Sequence, residues 1–181
     1  MSDENKPHLA RGIVAGVAGG LVASWVMNAF ISNAGPKLQK AVEKIDPQPP
    51  QQDNSQPTDD APKEDATMKA ADAVVNTLTG GRHLSYEEKQ KGGPIVHYAF
   101  GALMGGLYGG LAEYSPAVRS GLGTTFASAL FTGADVIAVP ALKLSGSSAG
   151  APASSLATPY AAHLVYGITT DVVRRLVRLI L

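Results

Sequence analysis

The chain contains no cysteine, so disulfides and thiolate metal sites are excluded and the redox compartment cannot be read from it. It has no net charge: fifteen basic residues balance fifteen acidic ones. No global field therefore recruits nucleic acid, and no basic block that could track phosphates occurs outside the C-terminal arginines. Enzymatic signatures are missing too. There is no G-x-S-x-G, no H-E-x-x-H and no phosphate loop after a strand, so the sequence predicts no enzyme and no metal or organic cofactor. Charged residues make up only 17% of the chain, and most of them lie between long uncharged runs.

Those runs dominate the sequence. Residues 12–32, GIVAGVAGGLVASWVMNAFIS, carry no charge. At about 1.5 Å per residue they suffice for a hydrocarbon core of roughly 30 Å. Residues 93–112 are also uncharged, and residues 120–142 are interrupted only by Asp135. A fourth run starts near Ala157 and ends among Asp171, Arg174, Arg175 and Arg178. Four such runs exceed what a soluble core of this size can bury. The expected fold is all-α and integral to the membrane: four transmembrane helices in a small bundle, with a polar, partly disordered loop between helices 1 and 2. Residues 1–34 form the N-terminus and first span, 35–92 an extracytoplasmic loop, and 93–181 a three-helix membrane region. Ser32-Asn33-Ala34 would pass as a signal-peptide cleavage site, but the apolar run is long for that role, and Asp3 and Glu4 are unusual before it.

The loop is not uniform. Its centre, DPQPPQQDNSQPTDDAP, is too polar to order itself by burial. Leu38, Ala41, Val42 and Ile45 share one helical face, as do Met68, Ala71, Val75 and Leu78, a pattern that Gly80-Gly81 ends. Ser85-Tyr86-Glu87-Glu88 reads as a capping box before a short helical turn. Short helices at the membrane surface are expected here, offering a face to an envelope protein. The short link EYSPAVR predicts antiparallel neighbours for spans two and three. Lys6, Arg11, Arg119 and the three C-terminal arginines place both termini in the cytoplasm, with the C-terminal arginines snorkelling to headgroups.

Small residues recur every fourth position: Gly12, Gly16 and Gly20 in span one, then Gly101, Gly105 and Gly109 in span two. Such spacing lets backbones approach closely, within a monomer or between copies of a homo-oligomer. Polar residues also form stripes. Tyr160, His163, Gly167, Asp171, Arg174 and Arg178 align on span four, His97 and Tyr108 on span two, and Gly121 through Asp135 on span three. In lipid such stripes must face protein or water. His97, Asp135, His163 and Asp171 are thus the candidate intramembrane polar site. Glu113, Arg119, Arg174 and Arg175 are the candidate interface anchors.

YGGLAEYSPAVRSG (residues 108–121), ADVIAVPAL (134–142) and HLVYGITTDVVRR (163–175) resemble the YagU-like inner-membrane proteins, a bacterial domain family of unknown function. The resemblance implies an integral inner-membrane protein tied to acid or envelope stress and supplies no reaction. Two features differ from the family: Asp135 stands where a histidine is expected, and the first loop is rich in proline and glutamine. Three functions follow as expectations: a structural or regulatory membrane factor, a small transporter or proton-handling protein using Asp135 and the histidines, and a haem protein held by His97 and His163. Each of those histidines follows a proline and precedes a glycine four residues on.

Overall fold

The computed structural model describes residues 8–46, 64–145 and 153–181. The expected disorder at the centre of the loop falls on residues outside these, apart from Asp46. Among the described residues all regular structure is helical. The helices are α1 (Leu9–Asn33), α2 (Gly35–Ile45), α3 (Ala66–Thr79), α4 (Tyr86–Tyr114), α5 (Thr124–Phe131), α6 (Val139–Ala141) and α7 (Ala153–Arg178). A π-helical segment, Thr132–Ala138, joins α5 to α6, so the third apolar run is one helical unit, Ser120–Ala141. Among the described residues three helices are long and apolar enough to cross a membrane: Leu9–Asn33, Tyr86–Tyr114 and Ser120–Ala141. α7 has the length, with 26 residues, but its serines, threonines, Pro159 and His163 make it less apolar than these three.

The packing inverts that of a water-soluble bundle. Many buried positions are small or polar, among them Ala15, Ala23, Ser24, Ala112, Ala127, Ala162 and Thr170, with Met27, Met68, Tyr108, Phe131 and Tyr166 the large buried side chains. Large apolar side chains face outward, among them Trp25, Ile95, Leu103, Ile137 and Leu176. Hydrocarbon suits such a surface, and small interior residues then let dispersion and backbone contacts act at short range. α1 is the central helix, packed antiparallel against α4 on one side and α7 on the other. The glycine spacing explains the first contact. A Cβ at Gly16 would strike the Gly105 carbonyl, and one at Gly12 would lie 2.6 Å from the Gly109 carbonyl oxygen. The two glycine series therefore mesh with each other inside one chain. Against α7, a Cβ at Gly19 would lie 2.7 Å from the Thr170 carbonyl oxygen.

The third span departs from its expected place. The link after α4 is short, yet the third span packs chiefly on α7 and reaches α4 mainly through the rings of Tyr108 and Phe126, 5.0 Å apart. The cause is a left-handed corner: Gly121, Leu122 and Gly123 have φ of 60°, 55° and 82°. This swings the chain to α7, where Gly123 and Ala127 press on Gly167. Gly121 thus lies outside the regular helix, and the polar stripe of span three begins at Thr124.

The loop flanks fold as short helices. Asp65 caps α3 by accepting from the Met68 N–H at 2.9 Å, and Gly80, at φ 71°, ends it. The Ser85 capping box is present, but it starts no short turn. It opens α4, which runs unbroken for 29 residues through Pro94. Gly92 and Gly93 lie against Ala71 and Met68 of α3, so packing holds this entry helical despite two glycines and a proline. The helix that carries the second apolar run thus begins at Tyr86.

Candidate functional site

The polar stripes converge, but in two separate groups. At the end of the bundle that holds the start of α1 and the end of α7, charge meets charge. Asp171 is fully buried. Its Oδ1 accepts from the Tyr108 hydroxyl at 2.8 Å and from Arg174 at 3.3 Å, and its Oδ2 accepts from Arg175 at 2.8 Å. Glu113, at the end of α4, receives both Nε and a terminal nitrogen of Arg178, at 2.9 and 3.0 Å. Arg174 lies 3.6 Å from Glu113, and the His8 backbone N–H donates to the same carboxylate at 3.1 Å. The Arg174 guanidinium also sits over the Tyr108 ring, 5.9 Å from its centroid. Two helices, α4 and α7, and the chain entry to α1 are thereby tied together.

This knot corrects one expectation. Arg174 and Arg178 do not snorkel outward: their side chains are 6% and 15% exposed and point at carboxylates. Arg119 is exposed, and Asp171 is served by Arg174 and Arg175. The Glu113–Arg178 pair spans 65 residues in sequence. Its one sequence signal is an acid ending one apolar run and an unmatched arginine ending another.

The second group lies toward the other end. Asp135 stands inside the π-helical segment, and its Oδ2 is 3.5 Å from His163 Nδ1. The same Nδ1 lies 2.9 Å from the Pro159 carbonyl oxygen. A carbonyl only accepts, so Nδ1 carries the hydrogen and Nε2 of the neutral ring is the open basic site. Phe131 meets the ring at a tilt of 59°, centroid to centroid 5.3 Å, and also meets Tyr160 at 5.3 Å. Tyr160 shares a hydrogen bond with Ser128 at 3.0 Å. His97 of α4 is within electrostatic range of both Asp135 and His163. Its Nε2 is buried and has no hydrogen-bond partner among the described residues. The Asp135 side chain remains 38% exposed.

So the structure brings Asp135 to His163, leaves His97 outside contact distance of both, and assigns Asp171 to the other group. Asp171 lies eight residues along α7 from His163, roughly 12 Å at the helical rise. Between the two groups the Gly123–Gly167 backbone contact and the Ala127 methyl close the seam. Tyr166 went unread in the sequence, yet its hydroxyl donates to the Gly101 carbonyl at 2.6 Å and ties α7 to α4 in this sealed layer. Tyrosine at helical spacing looks the same whether it packs or bridges, so nothing in the sequence marked it. Among the described residues no group of three or more His, Asp and Glu side chains is arranged to hold a metal ion.

No family model, curated protein or solved structure matches this chain.

Proposed function

We propose that the chain is a four-span protein of the bacterial inner membrane, both termini cytoplasmic, whose Asp135–His163–His97 group binds and passes protons. The observation that carries this reading is the 3.5 Å approach of Asp135 to His163 Nδ1 within a π-helical segment. Single π-turns inside helices recur at functional positions. A proton arriving at His163 Nε2 converts a neutral ring beside a carboxylate into an ion pair, so one protonation changes the force between α7 and the third span. Ionisable residues inside a span are functional candidates because they are costly to keep there.

α7 serves as the fourth span in this reading. It is packed between α1 and the third span, both of membrane length, and its charges are paired at one end. Arg11, Arg119 and Arg175 at that same end support the cytoplasmic assignment. A role in acid stress, as the YagU-like resemblance implies, suits a proton-binding site that faces the opposite compartment.

The test is a pH jump across proteoliposomes containing the full chain. Wild type is expected to carry protons, and Asp135→Asn and His163→Ala are expected to lose the flux while remaining folded. Absence of flux in wild type sinks the reading. It would favour a structural or regulatory factor, which the dense Glu113–Asp171–arginine knot supports and which would engage an envelope partner through residues 35–92. A Soret band in the purified protein would instead point to haem on His97 and His163.

A further inference from the structure

α2 is the helix whose surroundings the bundle does not account for. It starts one residue after α1 ends, at the boundary where a spanning α1 would leave the bilayer. One of its faces is committed: Gln39 accepts from Thr158 of α7 at 3.1 Å and donates to Glu43 at 2.8 Å, and Gly35 is buried against Thr158. This contact fixes the rotation of α2 about its axis. Its other faces are thereby presented in a set orientation.

Two stripes remain. Lys37, Lys40 and Lys44 follow at three and four positions and form one exposed line. Leu38, Ala41 and Ile45 follow at the same spacing beside it, with Val42 next to them; Ala41 and Ile45 are exposed, and Leu38 and Val42 are half-buried. Ile45 is 86% exposed. No carboxylate among the described residues forms an ion pair with any of the three lysines, whereas Lys89 of α4 is paired with Glu64 at 3.0 Å. An apolar stripe alongside a line of free ammonium groups, at the end of a membrane span, matches the boundary between acyl chains and phosphate headgroups.

We infer that α2 lies in the membrane interface and binds anionic phospholipid headgroups through Lys37, Lys40 and Lys44, with Leu38, Ala41 and Ile45 in the acyl region. The charge selects the partner, because a zwitterionic surface gives three ammonium groups no net attraction. Each lysine near an anionic surface contributes roughly a fivefold gain in partitioning. Lysine suits this task, since its long stem lies along apolar surface while its head reaches phosphate. The inference rests on α1 spanning the membrane, as proposed above.

The absence of cysteine makes the test direct. A nitroxide is attached to the full chain through Ile45→Cys, and separately through Val22→Cys on the outward face of α1. The proteins are reconstituted in vesicles of phosphatidylcholine alone or mixed with phosphatidylglycerol. Access of oxygen and of a water-soluble nickel chelate is then measured at each label. At Ile45 nickel access is expected to fall severalfold when phosphatidylglycerol is added. That response should vanish in Lys37→Gln/Lys40→Gln/Lys44→Gln and persist with arginine at the three positions. Equal access in both lipids, or an unchanged response in the glutamine variant, overturns the inference. The Val22 label separates the two readings. If Val22 is shielded and Ile45 is not, α2 alone is misassigned, and if both meet water the membrane reading itself falls.

Discussion

The two polar groups of this bundle are built in opposite ways. In one, two carboxylates meet three guanidinium groups, a tyrosine hydroxyl and a backbone N–H; their oxygens are satisfied, and Arg174 Nε is the buried atom left without a hydrogen-bond partner among the described residues. In the other, one carboxylate lies 3.5 Å from one imidazole, a second imidazole has a buried nitrogen without such a partner, and the backbone is π-helical. Carboxylates saturated by buried cations resist change, because removing any partner strands a charge. A carboxylate with one distant partner has room for a proton. The difference assigns anchoring to Glu113 and Asp171 and chemistry to Asp135 and His163. Residue type alone would not separate them, since each group contains aspartate.

Substitutions can break or sharpen that contrast. The largest loss is expected outside both groups, in the seam that carries them. Gly16→Leu drives a side chain into the Gly105 backbone and should separate α1 from α4, at or beyond the roughly 4–5 kcal/mol that single substitutions rarely exceed. Denaturant titration of the reconstituted protein reads this directly, and a near-wild-type midpoint would contradict the packing.

Next comes the saturated knot. Glu113→Ala leaves Arg178 and the largely buried Arg174 without their shared carboxylate, which should cost about 3–5 kcal/mol. Asp171→Ala should cost a similar amount. Proton flux, measured on whatever folded fraction remains, should persist per molecule. Loss of flux with unchanged stability would reverse the two assignments.

The unsaturated group predicts the opposite split. Asp135→Asn should change stability by no more than about 1 kcal/mol, in the range of ordinary substitutions, while removing proton uptake. A stability loss as large as that of Glu113→Ala would make Asp135 structural.

The smallest effect belongs to the polar hairpin outside the bundle. The His83 side chain and the Leu84 N–H bond the Asp72 carboxylate at 2.9 and 2.6 Å and hold its pKa below the usual carboxylate value. A lowered folded-state pKa stabilises at neutral pH, and the contribution is lost as pH falls through that value. The helical residues of α3 should therefore exchange amide hydrogens faster only at pH below the ordinary carboxylate range, a trend that Asp72→Asn should abolish. Acid-independent exchange in wild type would show that the contact does not hold α3.

Much of this architecture could be read before the structure. The uncharged runs locate the helices, because a 3.6-residue repeat without charge has few other solutions. The glycine spacing marked α1 and α4 for close backbone packing while leaving open whether the partner lay in the same chain, the boundaries of α2 and α3 followed from face periodicity, and Gly80 marked an end. The extension of α4 back to Tyr86 was hidden, because Gly92, Gly93 and Pro94 discourage helix locally and only their packing on α3 overrides this.

The sequence by itself determined which segments are helical, which are apolar, and which residues are costly to bury. Those are local properties, set by side-chain volume, charge and period. Only the tertiary structure decided which costly residues compensate one another. Glu113 meets Arg178 because α4 and α7 both pack on α1, and Asp135 meets His163 because a left-handed corner at residues 121–123 carries the third span to α7. Pairing across many residues depends on where whole helices lie, and that is settled by backbone contacts at glycine, which leave no charge or hydropathy signal at the residues they bring together.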